Sequence, residues 1–127
     1  MFSHVMIGTN DLDRAKTFYD AVLGTLGVAP GHVDRHRVFW RTPAGVFSVS
    51  RPIDGQPASV GNGSTFGFAC TSAEQVDAWH AAGVAHGGSS CEDPPGVREG
   101  AGGRLYLAYL RDPDGHKLCG LFRMPKA

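Results

Sequence analysis

The chain has 127 residues, enough for one domain with a real core and too few for two. Its acidic and basic side chains balance to a formal net charge of zero and no basic run occurs, so composition supplies no electrostatic reason to bind nucleic acid or an anionic membrane surface. No apolar stretch approaches the roughly 20 residues of a membrane helix, no export signal opens the chain, and the cysteines Cys70, Cys91 and Cys119 show no CxxC spacing, which fits a reducing cytoplasm better than a disulfide framework or a zinc ribbon.

Residues 3–8 are apolar and β-prone and read as a strand. Asn10 then offers a capping side chain, with Asp13 three residues on. Leu12, Ala15, Tyr19 and Val22 follow helical spacing, and Gly24 and Gly27 stop the helix. Residues 37–41 and 45–51 read as two strands joined by a turn at Thr42-Pro43-Ala44-Gly45, where proline in second place and glycine in fourth suit a type I turn. Residues 53–63 are rich in Gly, Pro and polar side chains and read as a linker.

The same grammar then returns. Residues 65–70 predict a strand, and Thr71 with Glu74 forms a capping-box pattern. Val76, Trp79 and Ala82 line the inner face of a helix that Gly83 ends. Residues 86–103 lack periodicity and predict a long loop, functional or disordered. Residues 105–111 and 117–123 predict a hairpin around Asp112-Pro113-Asp114-Gly115. Asn10 falls on Thr71, Asp13 on Glu74, Ala15 on Val76 and Phe18 on Trp79, so the chain is an internal repeat. Module one spans about residues 2–52 and module two about 64–124. Strands joined by tight turns pair antiparallel with the helices grouped on one side, an α+β architecture. Neither half alone shields its apolar face, so a ligand site belongs where the modules meet.

The amino-terminal strand carrying His4, the helix DLDRAKTFYDAVLG and the hairpin RDPDGHKLC together resemble the vicinal oxygen chelate superfamily, which includes glyoxalase I, extradiol dioxygenases and bleomycin-binding proteins. The resemblance covers about residues 2–124. It implies paired βαβββ modules forming a curled mixed sheet with the helices outside, commonly completed as a homodimer. It also implies a divalent ion (Zn, Ni or Fe) held at four positions, one on the first and one on the last strand of each module. Carried over, those positions are His4, Thr65, Cys119 and, by gapless alignment, Val49; a slip of one residue puts Ser48 or Ser50 there instead. No carboxylate stands at any of them. His4 and Cys119 alone argue against a tight metal site, since divalent ions of this kind want His and Glu.

The candidate catalytic residues are therefore His4, Cys119 and Tyr106. Tyr106 and Tyr109 point to opposite faces of their strand, so one of them faces the cup. Thr65, Trp40, Arg98 and Ser50 are candidates for substrate contact, Arg98 as a clamp for a carboxylate or phosphate. His116, just past a turn glycine, is expected in solvent. The resemblance implies a small-molecule enzyme of lyase, isomerase or transferase type, with glyoxalase I activity itself disfavoured by the missing glutamate. The alternative is a metal-free binding or sequestering protein, and an extradiol dioxygenase fits least.

Overall fold

The computed structural model describes residues 1–126. In chain order the elements are β1 (His4–Gly8), α1 (Leu12–Gly24), β2 (His32–Asp34), β3 (Arg37–Thr42), β4 (Gly45–Ser50), β5 (Phe66–Ala69), α2 (Ala73–Ala85), β6 (Ser89–Ser90), β7 (Gly96–Gly100), β8 (Gly103–Arg111) and β9 (Lys117–Arg123). The architecture is α+β. The strands form two mixed sheets that do not close on each other. The four-stranded sheet has the order β1-β4-β3-β2; in the five-stranded sheet β5, β9 and β8 run side by side, and β6 and β7 both pair with β8. In each sheet the strand before the helix runs parallel to the last strand of its module.

Both helices start one residue later than the sequence predicts. Asp11, not Asn10, caps α1, its Oδ1 accepting from Arg14 N at 3.0 Å. Ser72, not Thr71, caps α2, its Oγ accepting from Gln75 N at 3.0 Å. Each site offers two adjacent capping residues, and side-chain type alone does not choose between them. The displaced Asn10 is used otherwise: its Oδ1 accepts from Ala58 N at 2.7 Å and ties the linker down. Gly83 does not end α2, which continues to Ala85. It sits inside the helix because a Cβ there would lie 2.4 Å from Leu110 Cδ1 on β8.

Residues 86–103 are not an irregular loop. They contain β6 and β7, and β7 forms a hairpin with β8 in which Arg98 lies opposite Leu105. Glycines at 96, 100, 102 and 103 hide the strand pattern, and Gly103 takes φ +97°, which the turn into β8 requires. The exposed three-residue strand β2 also lacks an alternation long enough to read.

One core runs through both modules. Phe18, Tyr19 and Val22 of α1 pack on Val38, Trp40 and Val49, and Val76 and Trp79 of α2 pack beneath Leu110 and Leu118. Burying each such large side chain contributes about 1.5–3 kcal/mol before chain entropy is counted. Phe47 on β4 meets Phe68 on β5, centroids 5.3 Å apart, and joins the halves.

Polar bonds lock the same junction. Tyr19 Oη donates to Asp112 Oδ2 at 2.5 Å, and His116 Nε2 lies 2.7 Å from the carbonyl of Gly8. Asp114 accepts from Thr9 Oγ1 (2.6 Å), Asn10 N (2.9 Å) and Arg14 Nη2 (2.9 Å). His116 is therefore buried, contrary to the expectation of a solvated turn residue. Its Asp-Pro-Asp-Gly turn is folded inward by Asp112 Oδ1, which accepts from the backbone N–H groups of residues 114, 115 and 116.

Candidate ligand-binding faces

Alternation along the strands decides which side chains reach a ligand. In the first sheet Val5, Ile7, Val38, Trp40, Phe47 and Val49 belong to the core beneath the helices. Their neighbours in sequence point the other way, onto an open face. The registers His4↔Val46, Met6↔Ser48 and Gly8↔Ser50, with Arg37↔Ser50 and Phe39↔Ser48, put His4, Ser48, Ser50, Arg37, Phe39 and Arg41 there. In the second sheet Phe66, Phe68, Tyr106, Leu110 and Leu118 face the helices. The registers Gly67↔Cys119, Tyr109↔Cys119, Leu107↔Leu121 and Arg98↔Leu105 put Cys119, Tyr109, Leu107 and Arg98 on the open face.

These registers settle the uncertain fourth position. Met6 and Gly67, each two residues past the opening positions His4 and Thr65, pair with Ser48 and Cys119. Ser48 is thus the counterpart of Cys119. Val49 is turned into the core and is 1% exposed, and Ser50 lies one register pair further along. Ser48 is itself buried, its Oγ donating to the carbonyl of Val5 at 3.1 Å. Ser50 Oγ donates to the carbonyl of Arg51 at 2.7 Å.

The remaining candidates divide between several surroundings. His4 is exposed at the edge of its sheet, its Nδ1 2.8 Å from Ser3 Oγ. His4, Thr65 and Trp40 all border one cleft of about 750 Å³ between the free edges of β1 and β5, with Phe47, Phe66 and Phe68 among its walls. Trp40 belongs to the core side of that cleft, its Nε1 donating to Asp20 Oδ1 at 2.9 Å. Tyr106 lies on the helix side of the second sheet and donates to Asp77 Oδ1 of α2 at 2.8 Å, so it does not share a face with Cys119. Tyr109 does. The Arg98 guanidinium is held by the carbonyls of Asp93 (3.1 Å) and Pro94 (2.8 Å).

Around Cys119 the chemistry is that of protonated groups. Burial pushes its thiol above the usual range, the neighbouring Tyr109 hydroxyl opposes this less strongly, and Sγ lies 3.7 Å from the Gly120 carbonyl as a donor. Burial also raises the Tyr109 hydroxyl, and the neighbouring Cys119 adds to the effect. Lys117 stands 4.9 Å from the centre of the Tyr109 ring and pairs with Glu92. At neutral pH the thiol and phenol are hydrogen-bond donors, not a nucleophile and a base.

The four family positions thus present an imidazole, two hydroxyls and a protonated thiol. Among the described residues, no three His, Cys, Asp or Glu side chains are gathered as a metal-holding group. This donor set does not fit the divalent ion that the fold implies.

The paired modules and the placement of the open faces define a glyoxalase-type fold. The model of the Glyoxalase/Bleomycin resistance protein/Dioxygenase superfamily matches residues 1–119, and the chain belongs to that superfamily. It is 64% identical to a glyoxalase/bleomycin resistance protein from Albidiferax ferrireducens T118, with a TM-score of 0.94 over 96% of this chain and 98% of that one. A glyoxalase-related enzyme from Fulvimarina pelagi (20% identity, TM-score 0.73, 97% and 88% covered) shares the fold. So does a lactoylglutathione lyase from Agrobacterium tumefaciens (20%, 0.67, 96% and 92%). Comparison with the curated proteins finds no match.

Arg37, Phe39 and Arg41 are open-face residues that the sequence reading did not single out, whereas Ser48 and Tyr109 were among its alternatives. Buried Val38 and Trp40 alternate with Arg37, Phe39 and Arg41, so a period-two reading outward from Trp40 finds these three.

Proposed function

We propose that the chain binds a small molecule against its open sheet faces without a resident metal, in the manner of a sequestering member of the superfamily. One observation carries this reading: the four family ligand positions are His4, Ser48, Thr65 and Cys119, groups suited to hydrogen bonding and poorly suited to chelation. The apolar lining around Cys119, with Leu107 and Leu121 beside it, supports a partly apolar ligand. The chamber is completed by a second copy of the chain, because β1 and β5 each leave one edge without a strand.

A second reading is an enzyme of lyase or isomerase type. Tyr109, opposite Cys119 in register, favours it, since a protonated phenol on the open face can donate to an oxygen that gains charge.

Titration with Zn, Ni or Fe(II) followed by calorimetry is expected to give no tight one-per-chain binding that His4→Ala abolishes. A small-molecule panel scored by thermal shift is expected to yield stabilising compounds, by mass action on the folded state. Recovery of such a compound unchanged supports binding, and its conversion, lost in Tyr109→Phe, supports the enzyme. Light scattering is expected to report twice the 13.5 kDa chain mass. Tight stoichiometric metal dependent on His4 would sink the metal-free reading.

A further inference from the structure

The zero net charge conceals an imbalance on the strands. Elsewhere both signs occur together: Asp20 pairs with Lys16 on α1, and Asp114 of the turn pairs with Arg14. The open faces are basic. Strand alternation places Arg37, Arg41, Arg98, Arg111, Lys117 and Arg123 there, against Asp34 as the strand acid on that side.

Little of this positive charge is neutralised. Arg98, Arg111 and Arg123 bond to the carbonyls of Pro94, Gly115 and Gly102, each at 2.8 Å, which orients the guanidinium and leaves its charge intact. Arg41 lies 4.7 Å over the Phe39 ring. Lys117 alone of the set has an acidic partner among the described residues, Glu92. Arg37 goes further: its Nε is buried and has no hydrogen-bond partner, although Asp34 is its neighbour in register. That Nε is closed to solvent and ligand alike, so an anion would meet the outer Nη groups of Arg37, which no acceptor among the described residues engages. Arg41, on the same strand and face, adds attraction at longer range.

We propose that the ligand of the open faces is a small organic anion, a carboxylate or a phosphoryl compound, whose charged head is received by Arg37 beside Phe39. This rests on the open faces being the ligand surface and names the class of ligand they take. It also turns the zero net charge from a neutral signal into a directional one, unsuited to a cationic ligand.

The test is a set of amide NMR titrations of the full chain at low salt, with benzoate and phenylphosphonate as the two anionic heads, benzamide as the neutral isostere and benzylamine as the cation. The anions are expected to move signals of β3, β4 and β9, with the tighter of the two identifying the head group. Benzamide and benzylamine are expected to bind far more weakly. Arg37→Gln is expected to weaken the anions about tenfold or more. Arg37→Lys is expected to recover part of that loss, and Arg41→Gln, at an exposed position, to weaken binding less while leaving the fold intact. Benzamide binding the same strands as tightly as benzoate, with Arg37→Gln and Arg41→Gln indifferent, overturns the anion and leaves the open-face site standing. Shifts confined to residues off the open faces overturn both. Absence of any shift up to about 10 mM anion overturns the anion proposal.

Discussion

At the scale of single residues, Tyr19 and Asp112 show how polar groups are tolerated at the centre of this fold. The hydroxyl is buried and donates to a carboxylate that is itself buried. Burial, and then the charge of Asp112, raise the Tyr19 hydroxyl well above its ordinary 10.0. The folded chain therefore keeps this proton at a pH where the unfolded chain has lost it. The resulting stability is fully present below about pH 10 and is lost as pH rises toward the folded value. Tyr19→Phe is expected to lower stability by about 1–3 kcal/mol at pH 7, because Asp112 Oδ2 loses its partner. Urea melts between pH 9 and 11 are expected to show a shallower alkaline decline in the variant than in the parent. Part of the residue-level placement was readable beforehand. His4 and Thr65 occupy matching positions and border one cleft. The choice between Tyr106 and Tyr109 was not readable, because both are aromatic strand residues and only the parity relative to Cys119 separates them. Nor was burial of His116, whose partner, the Gly8 carbonyl, lies 108 positions away.

At the scale of elements, the repeat was legible because each helix needs the same parts: a preceding strand, a cap, an apolar stripe. Its detail was lost wherever packing between elements overrides local preference. Gly83 looks like a helix stop and is instead a contact point with Leu110. Gly120 on β9 is of the same kind. A Cβ there would meet the Trp79 indole at 2.8 Å, and that ring is rigid and fully buried. Gly120→Ala is therefore expected to destabilise by about 1–3 kcal/mol through overpacking, against the usual gain from replacing a strand glycine. Thermal unfolding checks the sign. Gly67→Ala serves as the control, because a Cβ there meets no atom within 4 Å. The β7 strand escaped notice for a related reason: its glycines and charges read as loop, and only the pairing with β8 makes it a strand.

At the scale of the whole molecule, two modules of similar plan have diverged in what their open faces carry. Module one contributes Arg37, Phe39 and His4, and module two the Tyr109–Cys119 pair with its surrounding bases. Fold membership does not say what such a face takes; the chemistry of these side chains does. The family was legible from His4, the first helix and the last hairpin taken together. The charge imbalance on the strands was not, because a sum over residues erases position.

The bonds across the module junction also bear on how the molecule would survive being cut. Ile53 in the linker is 83% exposed, and the neighbouring backbone between 53 and 57 is a natural point for a protease. Cleavage there would leave Asp114 still gripping Thr9 and Arg14, His116 still on Gly8, and Phe47 against Phe68. A nicked sample is expected to travel as one species on a native gel and to part into two fragments only in detergent. By the same logic, the two halves expressed as separate polypeptides should find each other and reconstitute the parent.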